Sequence, residues 1–301
     1  MIYPAKRSMI FVLAFFGTAC AMPGMVEEKA YRSDPISLRE RAAALKALDP
    51  SPDLTISYDS ETGKSFPINV FRSSGSCPDG GWPGLVMYHG GGWQRGEPTQ
   101  FKRQAKLYNE LGFSLLMPGY SLGRVDGTPP QQSLRDAVTA WTSIIDRAEE
   151  LCLDVSKLGA GGGSAGGHLG AALATLSEDK APSLVERPKF LVLYNPVIDN
   201  SPEGYGYERI GEDWTWFSPL HNIPASHPDT LFMLGDEDAL IPVSTAESYC
   251  ARVQENGADC RLIVYEGAAH AWFNDSGFVD TLTDSAEFLS DWLVSSENEP
   301  G

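Results

Sequence analysis

Short apolar runs alternate with longer amphipathic segments along the chain after Pro52. The short runs, of four or five residues each, have the length and the residue types of buried strands. They predict eight strands, at Leu54–Tyr58, Ile68–Phe71, Gly84–Tyr88, Ser114–Met117, Lys157–Ala160, Phe190–Tyr194, Thr230–Leu234 and Arg261–Tyr265. The amphipathic segments predict helices at Thr99–Leu111, Gln131–Leu151, Ala165–Leu176, Ser244–Asn256 and Asp280–Leu293.

The order of these elements predicts an α/β fold with a mainly parallel, eight-stranded sheet. From the third strand onward most strands are followed by a helix, which requires right-handed crossovers and helices on both faces of the sheet. The turn-rich link at residues 59–64 predicts an antiparallel hairpin at one sheet edge. Residues 198–229 have no clear strand and are rich in Tyr, Trp and Pro, so we expect a loop over one end of the sheet.

Composition limits the class of partner. The 301-residue chain is 42% apolar and 21% charged, which is typical of a globular domain with a packed core. Acidic residues outnumber basic ones, 40 to 23, and the formal charge of −17 repels phosphate backbones and anionic lipid headgroups. We therefore expect no nucleic-acid partner and interpret the charge as a solvated acidic surface.

The N-terminal residues have the pattern of a signal peptide at residues 1–21. A basic pair at residues 6–7 precedes an apolar run at residues 9–16, which is too short to span a bilayer. The small residues of Ala19-Cys20-Ala21 favour cleavage after Ala21, and lipidation of Cys20 is the alternative. The chain is thus predicted to be secreted or periplasmic, without a transmembrane segment and with a possible lipid anchor at Cys20.

The predicted mature chain has an N-terminal arm at residues 22–52, with a helix from about Ser37 to Leu48, and a main domain at residues 53–297. An even number of cysteines in an exported chain suggests disulfides. Three pairings are open at this point, and four buried free thiols are the alternative. The cysteines of the mature chain are Cys77, Cys152, Cys250 and Cys260.

The segment Gly162–Gly166 contains a candidate nucleophile, Ser164. It follows a predicted strand and opens a predicted helix, the context in which a G-x-S-x-G turn exposes a reactive serine. Such a turn is tight, so the neighbours of the serine have to be small, as they are here. A phosphate-binding loop is the alternative, but the segment lacks a lysine and the G-x-x-x-x-G-K-[ST] pattern.

A second glycine run, His89-Gly90-Gly91-Gly92-Trp93, follows the third predicted strand. Acyl transfer builds negative charge on an oxygen, and inward-facing backbone N–H groups stabilise that charge. We expect the N–H groups of Gly91, Gly92 and Ala165 to form this oxyanion hole. An ordinary turn after a strand is the alternative, and the presence of both glycine motifs in one chain favours the catalytic interpretation.

Five histidines are candidates for the base: His89, His168, His221, His227 and His270. His270 is favoured because it follows the eighth predicted strand, at the sheet edge where active-site loops gather. The orienting acid is expected after the seventh strand, because the chain order in this type of site is Ser, then Asp, then His. Asp238 is the predicted acid, and Asp236 is the alternative.

Together these motifs resemble the esterase family named after hormone-sensitive lipase, and within it the bacterial branch of acetylxylan and feruloyl esterases. The resemblance implies an α/β-hydrolase fold with a small cap, Asp238 as the acid, and hydrolysis of short acyl esters without a metal or an organic cofactor. It extends from about Leu54 to the last helix. The matching segments are His89–Trp93, Gly161–Leu169, Leu193–Val197, Ser218–His221, Gly235–Pro242 and Gly267–Phe273.

The fold that the resemblance implies also pairs Cys77 with Cys152 and Cys250 with Cys260. Two features depart from the family pattern. The chain has Tyr120-Ser121-Leu122 where the family often has Tyr-Arg-Leu, and its cap is short. The short cap argues against long-chain lipid substrates.

The predicted function is hydrolysis of short acyl esters, acetyl or feruloyl esters on plant or algal polysaccharide, by a Ser-His-Asp acyl-enzyme mechanism. The alternatives are a generic short-chain carboxylesterase, a formamidase-like amidase and, from another class, a non-catalytic secreted binding module. The oligomeric state is left open. Aromatic residues are predicted to stack on sugar or aryl rings, or alternatively to pack the loop onto the sheet: Trp93, Trp214, Trp216 and Trp272.

Overall fold

The computed structural model describes residues 35–298 of the chain. The predicted signal peptide, Cys20 and the first part of the predicted arm lie outside these residues, so cleavage and lipidation stay predictions. Within residues 35–298, no helix has both the length and the apolar composition that crossing a membrane requires.

An eight-stranded sheet forms the centre of the domain, in the order β1-β2-β4-β3-β5-β6-β7-β8. The first two strands run antiparallel to each other and β2 is antiparallel to β4, while the remaining pairs are parallel. This confirms the predicted fold class. The strands are β1 (Leu54–Asp59), β2 (Ser65–Phe71), β3 (Trp82–Tyr88), β4 (Ser114–Pro118), β5 (Leu153–Gly163), β6 (Phe190–Tyr194), β7 (Asp229–Gly235) and β8 (Cys260–Tyr265).

Ten α-helices surround the sheet within the described residues. Short 3₁₀ turns add Gly211–Asp213, Pro219–His221 and Trp272–Asn274. The helices are α1 (Pro35–Leu45), α2 (Lys102–Glu110), α3 (Gly123–Asp126), α4 (Pro130–Asp146), α5 (Ala148–Leu151), α6 (Ala165–Thr175), α7 (Tyr207–Ile210), α8 (Trp214–Phe217), α9 (Val243–Glu255) and α10 (Phe278–Asn298).

The sheet separates two apolar cores, because successive side chains of a strand point to opposite faces. In β3, Val86 and Tyr88 belong to the core that α4, α6 and α9 cover. Leu85 and Met87 belong to the core that α1, α2 and α10 cover. The N-terminal helix α1 thus packs on the main domain.

Several elements differ from their predicted bounds, two of them for a clear physical reason. Strand β5 is longer than Lys157–Ala160 because its glycines, which carry no apolar pattern, still pair with β3 and β6. The predicted helix Gln131–Leu151 is interrupted at Arg147, where φ is −110° and ψ is 15°. Periodicity cannot show this interruption, because Ala148 and Leu151 beyond it are buried in the same core as α4.

Both disulfides implied by the resemblance are present, Cys77–Cys152 and Cys250–Cys260. The first joins the segment before β3 to the residue before β5, and the second joins α9 to the start of β8. Each therefore links two elements that are neighbours in the folded domain, at a distance from the carboxyl ends of the parallel strands.

Candidate active site

Ser164 lies in the tight turn between β5 and α6, with φ of +52° and ψ of −118°. A non-glycine residue in this conformation is strained, at a cost on the order of 1–3 kcal/mol. The turn lies against the carbonyl oxygen of Tyr88, and a Cβ on Gly162 or Gly166 would lie 2.3 Å or 2.0 Å from that oxygen. Only glycine at these two positions permits the close approach that exposes Ser164.

Backbone hydrogen bonds hold Ser164 in the strained conformation. Its N–H donates to the carbonyl oxygen of Tyr194 at 2.9 Å. Its own carbonyl oxygen accepts from the N–H groups of His168, at 3.0 Å, and Val197, at 3.1 Å. The turn is therefore fixed by β6 and its following loop as well as by α6, which keeps the Ser164 hydroxyl in one place.

A row of hydrogen bonds joins Ser164, His270 and Asp238, which the chain order places far apart in sequence. The Ser164 Oγ lies 2.9 Å from His270 Nε2, and His270 Nδ1 lies 2.7 Å from Asp238 Oδ2. An ionised carboxylate can only accept, so the proton of the neutral ring is on Nδ1 and Nε2 is free to accept from the hydroxyl. The three residues predicted as nucleophile, base and acid are thus brought together in the order that proton transfer from the hydroxyl requires.

Asp238 is held more firmly than the other acidic residues of its loop. Its side chain is 0% exposed, and its Oδ1 accepts from the N–H groups of Leu240, at 2.8 Å, and Ile241, at 3.0 Å. The alternative acid, Asp236, is exposed and accepts from Gly267 N–H at 2.7 Å. Asp236 therefore anchors the loop that carries His270, and only Asp238 reaches the imidazole.

Asn195 is a further contact of the site and is not among the residues predicted for it. Its Oδ1 accepts from Ala271 N–H at 3.1 Å, and its Nδ2 lies 3.5 Å from His270 Nε2. Asn195 follows β6 directly and has φ of +35°, an uncommon conformation for a residue other than glycine. In the sequence, Asn195 could have been found only from its position directly after a strand that ends at the active-site edge of the sheet.

The glycine loop after β3 presents unused N–H donors. Gly91 and Gly92 have φ of +119° and +63°, and their N–H groups make no hydrogen bond within residues 35–298. The N–H of Ala165, at the start of α6, likewise has no acceptor in that range. Gly90 N–H is instead occupied by the Gln100 side chain at 2.7 Å. The three free donors are the ones predicted for the oxyanion hole.

The other four histidines bond elsewhere. His89 donates from Nδ1 to the carbonyl oxygen of Gly90 at 2.8 Å, which fixes the glycine loop. His168 donates from Nε2 to the carbonyl oxygen of Phe217 at 2.9 Å and stacks on its ring. His221 contacts Ser218, and His227 bonds to Tyr249. Among the described histidines, only His270 is hydrogen-bonded to Ser164.

Burial keeps three of these histidines neutral. Desolvation lowers the pKa of His89 to about 4, that of His168 to about 3 and that of His227 to about 4. In the unfolded chain the same side chains have a pKa near 6.5. Acid therefore favours the unfolded state, which binds these protons first.

Lowering the pH from 6.5 to 4 is expected to reduce the free energy of unfolding, and His227→Gln is expected to weaken this dependence. Each buried neutral histidine contributes a slope of about 1.4 kcal/mol per pH unit between its unfolded and folded pKa values. Urea unfolding at several pH values in this range measures the slope for the wild type and the variant. Parallel curves for the two proteins would contradict the contribution of His227.

A cleft of about 450 Å³ opens above Ser164 and His270. Backbone of the glycine loop, the ring of Phe273 and part of the cap segment, residues 198–229, contribute to its walls. Within residues 35–298, no group of three or more His, Cys, Asp or Glu side chains is placed to hold a metal ion. The lining residues are Gly90, Gly91, Gly92, Gln94, Arg95, Gln100, Arg124, Ser164, Tyr205, Arg209, Leu240, His270, Ala271 and Phe273.

None of the four tryptophans predicted to bind substrate lines this cleft. Trp93 is 0% exposed and packs against His168 and Phe217 beneath the glycine loop. Trp272 is buried against Tyr265 and Phe273.

The two cap tryptophans hold the cap segment together. Trp214 packs edge-on against His221, and Trp216 donates from Nε1 to Asp213 at 2.9 Å. Each therefore packs within the cap, as in the alternative interpretation of the aromatic residues.

The fold and the site together define an α/β-hydrolase. A model of the alpha/beta hydrolase fold matches residues 85–274, and the chain belongs to this family. The match spans the glycine loop, the Ser164 turn, the Asp238 loop and His270. The protein is an enzyme of the carboxylic ester hydrolase class.

Three known proteins illustrate the similarity. The chain is 24% identical to an ethyl acetate hydrolase of Pseudomonas putida, over 80% of this chain and 83% of that protein. It is 25% identical to an acetylxylan esterase of Xylanibacter ruminicola, over 80% of this chain and 53% of that protein. The propionate-bound structure of esterase Est2 from Thermogutta terrifontis superposes with a TM-score of 0.74 at 27% identity, covering 82% of this chain and 96% of that one.

Proposed function

We propose that the protein is a serine esterase that removes short acyl groups, with acetyl and feruloyl esters of polysaccharides as its natural substrate class. The observation that carries the proposal is the hydrogen-bonded row of Ser164, His270 and Asp238 at the base of an open cleft. This row supplies a nucleophile, a base and an orienting acid, and the glycine loop supplies donors for the developing oxyanion.

In the proposed reaction, His270 Nε2 takes the proton of Ser164 while Oγ attacks the carbonyl carbon of the ester. The carbonyl oxygen becomes an oxyanion bound by the N–H groups of Gly91, Gly92 and Ala165. The intermediate collapses as His270 protonates the departing alcohol, which leaves an acyl group on Ser164. Water, deprotonated by His270, then releases the carboxylic acid and restores the Ser164 hydroxyl.

Gly91→Ala tests the oxyanion hole. A Cβ at this position would lie 1.9 Å from the Arg95 carbonyl oxygen, so the loop has to move and the Gly91 N–H loses its orientation. We expect kcat to fall about a hundredfold to a thousandfold, the usual effect of losing one such donor, with a smaller change in KM.

Gly63→Ala is the matched control, because Gly63 also has a positive φ, +79°, but no atom within 4 Å of the added Cβ and no contact with the cleft. Hydrolysis of 4-nitrophenyl acetate measures both variants. A Gly91→Ala enzyme that keeps most of the wild-type kcat would exclude the proposed oxyanion hole.

Short acyl groups are favoured by the size and lining of the cleft. It is about 450 Å³, and the ring of Phe273 and the side chain of Leu240 limit the apolar space beside Ser164. The substrate named for the Pseudomonas relative, ethyl acetate, and the propionate bound to the Thermogutta esterase both have short acyl chains. The acetylxylan esterase relative supports a sugar alcohol as the leaving group.

An acyl-length series tests this substrate class. We expect kcat/KM to be highest for the acetyl to butyryl esters of 4-nitrophenol and to fall at least tenfold for the octanoyl ester. Acetylated xylo-oligosaccharides and a feruloylated arabinose separate a sugar esterase from a generic carboxylesterase, which would hydrolyse only the aryl esters well. An N-formyl arylamine tests the formamidase alternative, and faster cleavage of this amide than of the acetate would overturn the esterase assignment.

A further inference from the structure

Three arginines line the active-site cleft, Arg95, Arg124 and Arg209, and none of its lining residues is Asp or Glu. This contrasts with the protein as a whole, in which 40 acidic residues oppose 23 basic ones. Asp199 and Glu203 line a neighbouring depression, which shares Tyr205 and Leu240 with the cleft. The mouth of the cleft is therefore a cationic site on an anionic protein.

Backbone hydrogen bonds between residues 93–95 and the start of α3 place Arg95 and Arg124 on the same rim. At the first turn of α3, Gly123 N–H donates to the Trp93 carbonyl oxygen at 2.8 Å, and Arg124 N–H donates to that of Gln94 at 3.2 Å. Arg95 N–H in turn donates to the Gly91 carbonyl oxygen at 3.3 Å. The rim is thus tied to the glycine loop that faces Ser164.

Within the described part of the chain, the side chains of the two rim arginines have no partner. Arg95 and Arg124 are exposed and form no ion pair or side-chain hydrogen bond within residues 35–298. Arg209 is different, because it donates to the Gly92 carbonyl oxygen at 2.8 Å and pairs with Glu208. Two cations on one rim repel each other, and an anion between them relieves that repulsion.

We infer that the physiological ester carries an ionised carboxylate, which Arg95 and Arg124 bind while Ser164 attacks the ester carbonyl. The inference rests on the proposed esterase function and specifies its substrate class. A guanidinium suits this role because its planar donors match a carboxylate. In an acylated acidic sugar the carboxylate belongs to the alcohol half of the ester. In the half-ester of a dicarboxylic acid it belongs to the acyl half.

Two pairs of esters test the inference and distinguish the halves. For the alcohol half, 4-carboxyphenyl acetate is compared with the neutral 4-carbamoylphenyl acetate. For the acyl half, mono-4-nitrophenyl glutarate is compared with its methyl ester, after subtraction of the spontaneous rate. For each pair, the measured quantity is kcat/KM for the anionic ester divided by kcat/KM for the neutral ester, at low and at high NaCl.

We expect the wild type to prefer the anionic member of one pair about tenfold at low salt, with the preference reduced by NaCl because the charges are exposed. Arg95→Gln and Arg124→Gln should each lower the ratio about two- to fivefold, and the corresponding lysine variants should keep most of it. Arg72→Gln is the matched control, because exposed Arg72 follows β2 at the opposite sheet edge and its loss should leave the ratio unchanged.

Preference within the first pair places the carboxylate on the alcohol, and preference within the second places it on the acyl group. Ratios near one for both pairs, unchanged by the glutamine variants, overturn the anionic substrate while leaving the esterase standing. Failure to hydrolyse either neutral ester is a different result, because it overturns the proposed function and this inference with it.

Discussion

Ser164→Ala is expected to lower kcat for 4-nitrophenyl acetate about a millionfold, to a rate close to the uncatalysed one. The substitution removes the atom that would carry the acyl group, and His270 then has no hydroxyl from which to take a proton. The change deletes a single oxygen and leaves the backbone bonds of Ser164 to Tyr194 and Val197 in place. We therefore expect the variant to fold and unfold like the wild type.

Ser177→Ala serves as the control for this variant, because Ser177 is an exposed serine just beyond the other end of α6. It should retain wild-type activity. Residual hydrolysis by Ser164→Ala within about tenfold of the wild type, with contaminating esterases excluded by active-site titration, would assign the nucleophile to another residue.

Asp238→Asn is expected to lower kcat about ten-thousandfold while preserving the fold. Oδ1 still accepts from Leu240 and Ile241, so the new amide nitrogen faces His270. That nitrogen can only donate, which moves the ring proton from Nδ1 to Nε2. His270 Nε2 then donates toward Ser164 and no longer accepts its proton.

Asp236→Asn is the matched control, because its Oδ1 can still accept from Gly267 N–H in an exposed part of the same loop. We expect this variant to stay within about tenfold of the wild-type kcat. Equal losses in the two variants would indicate that the loop conformation matters more than the tautomer of His270.

Much of the fold was predictable from the sequence, because the strands are short apolar runs and most of the long helices have one apolar face. The eight strands and the antiparallel start of the sheet follow from that pattern. The length of β5 could not be predicted, since glycines at its end pair in the sheet without contributing apolar side chains. The helix interruption at Arg147 could not be predicted either, because both parts of the segment bury the same face.

A site residue was predictable from the sequence where the backbone conformation around it allows only certain residue types. Gly162 and Gly166 are required by the approach to Tyr88, so the serine turn has a sequence signature. The burial of Trp93 has none, because it depends on how His168 and Phe217 pack around it.

Contacts between segments that are distant in sequence could not be predicted either. Asn195 meets Ala271 across 76 positions of sequence. Arg95 and Arg124 share a rim only because the start of α3 bonds to residues 93 and 94. Such pairs leave no local pattern in the sequence.

Covalent labelling by a fluorophosphonate tests the central claim most directly, because this reagent phosphonylates only an activated serine next to a working base. The intact protein should gain the mass of one probe, and peptide mapping should locate the probe on Ser164, with labelling lost in His270→Ala. Stoichiometric labelling of another residue, or no labelling of folded wild-type protein, would contradict the assignment of Ser164, His270 and Asp238 as the catalytic row.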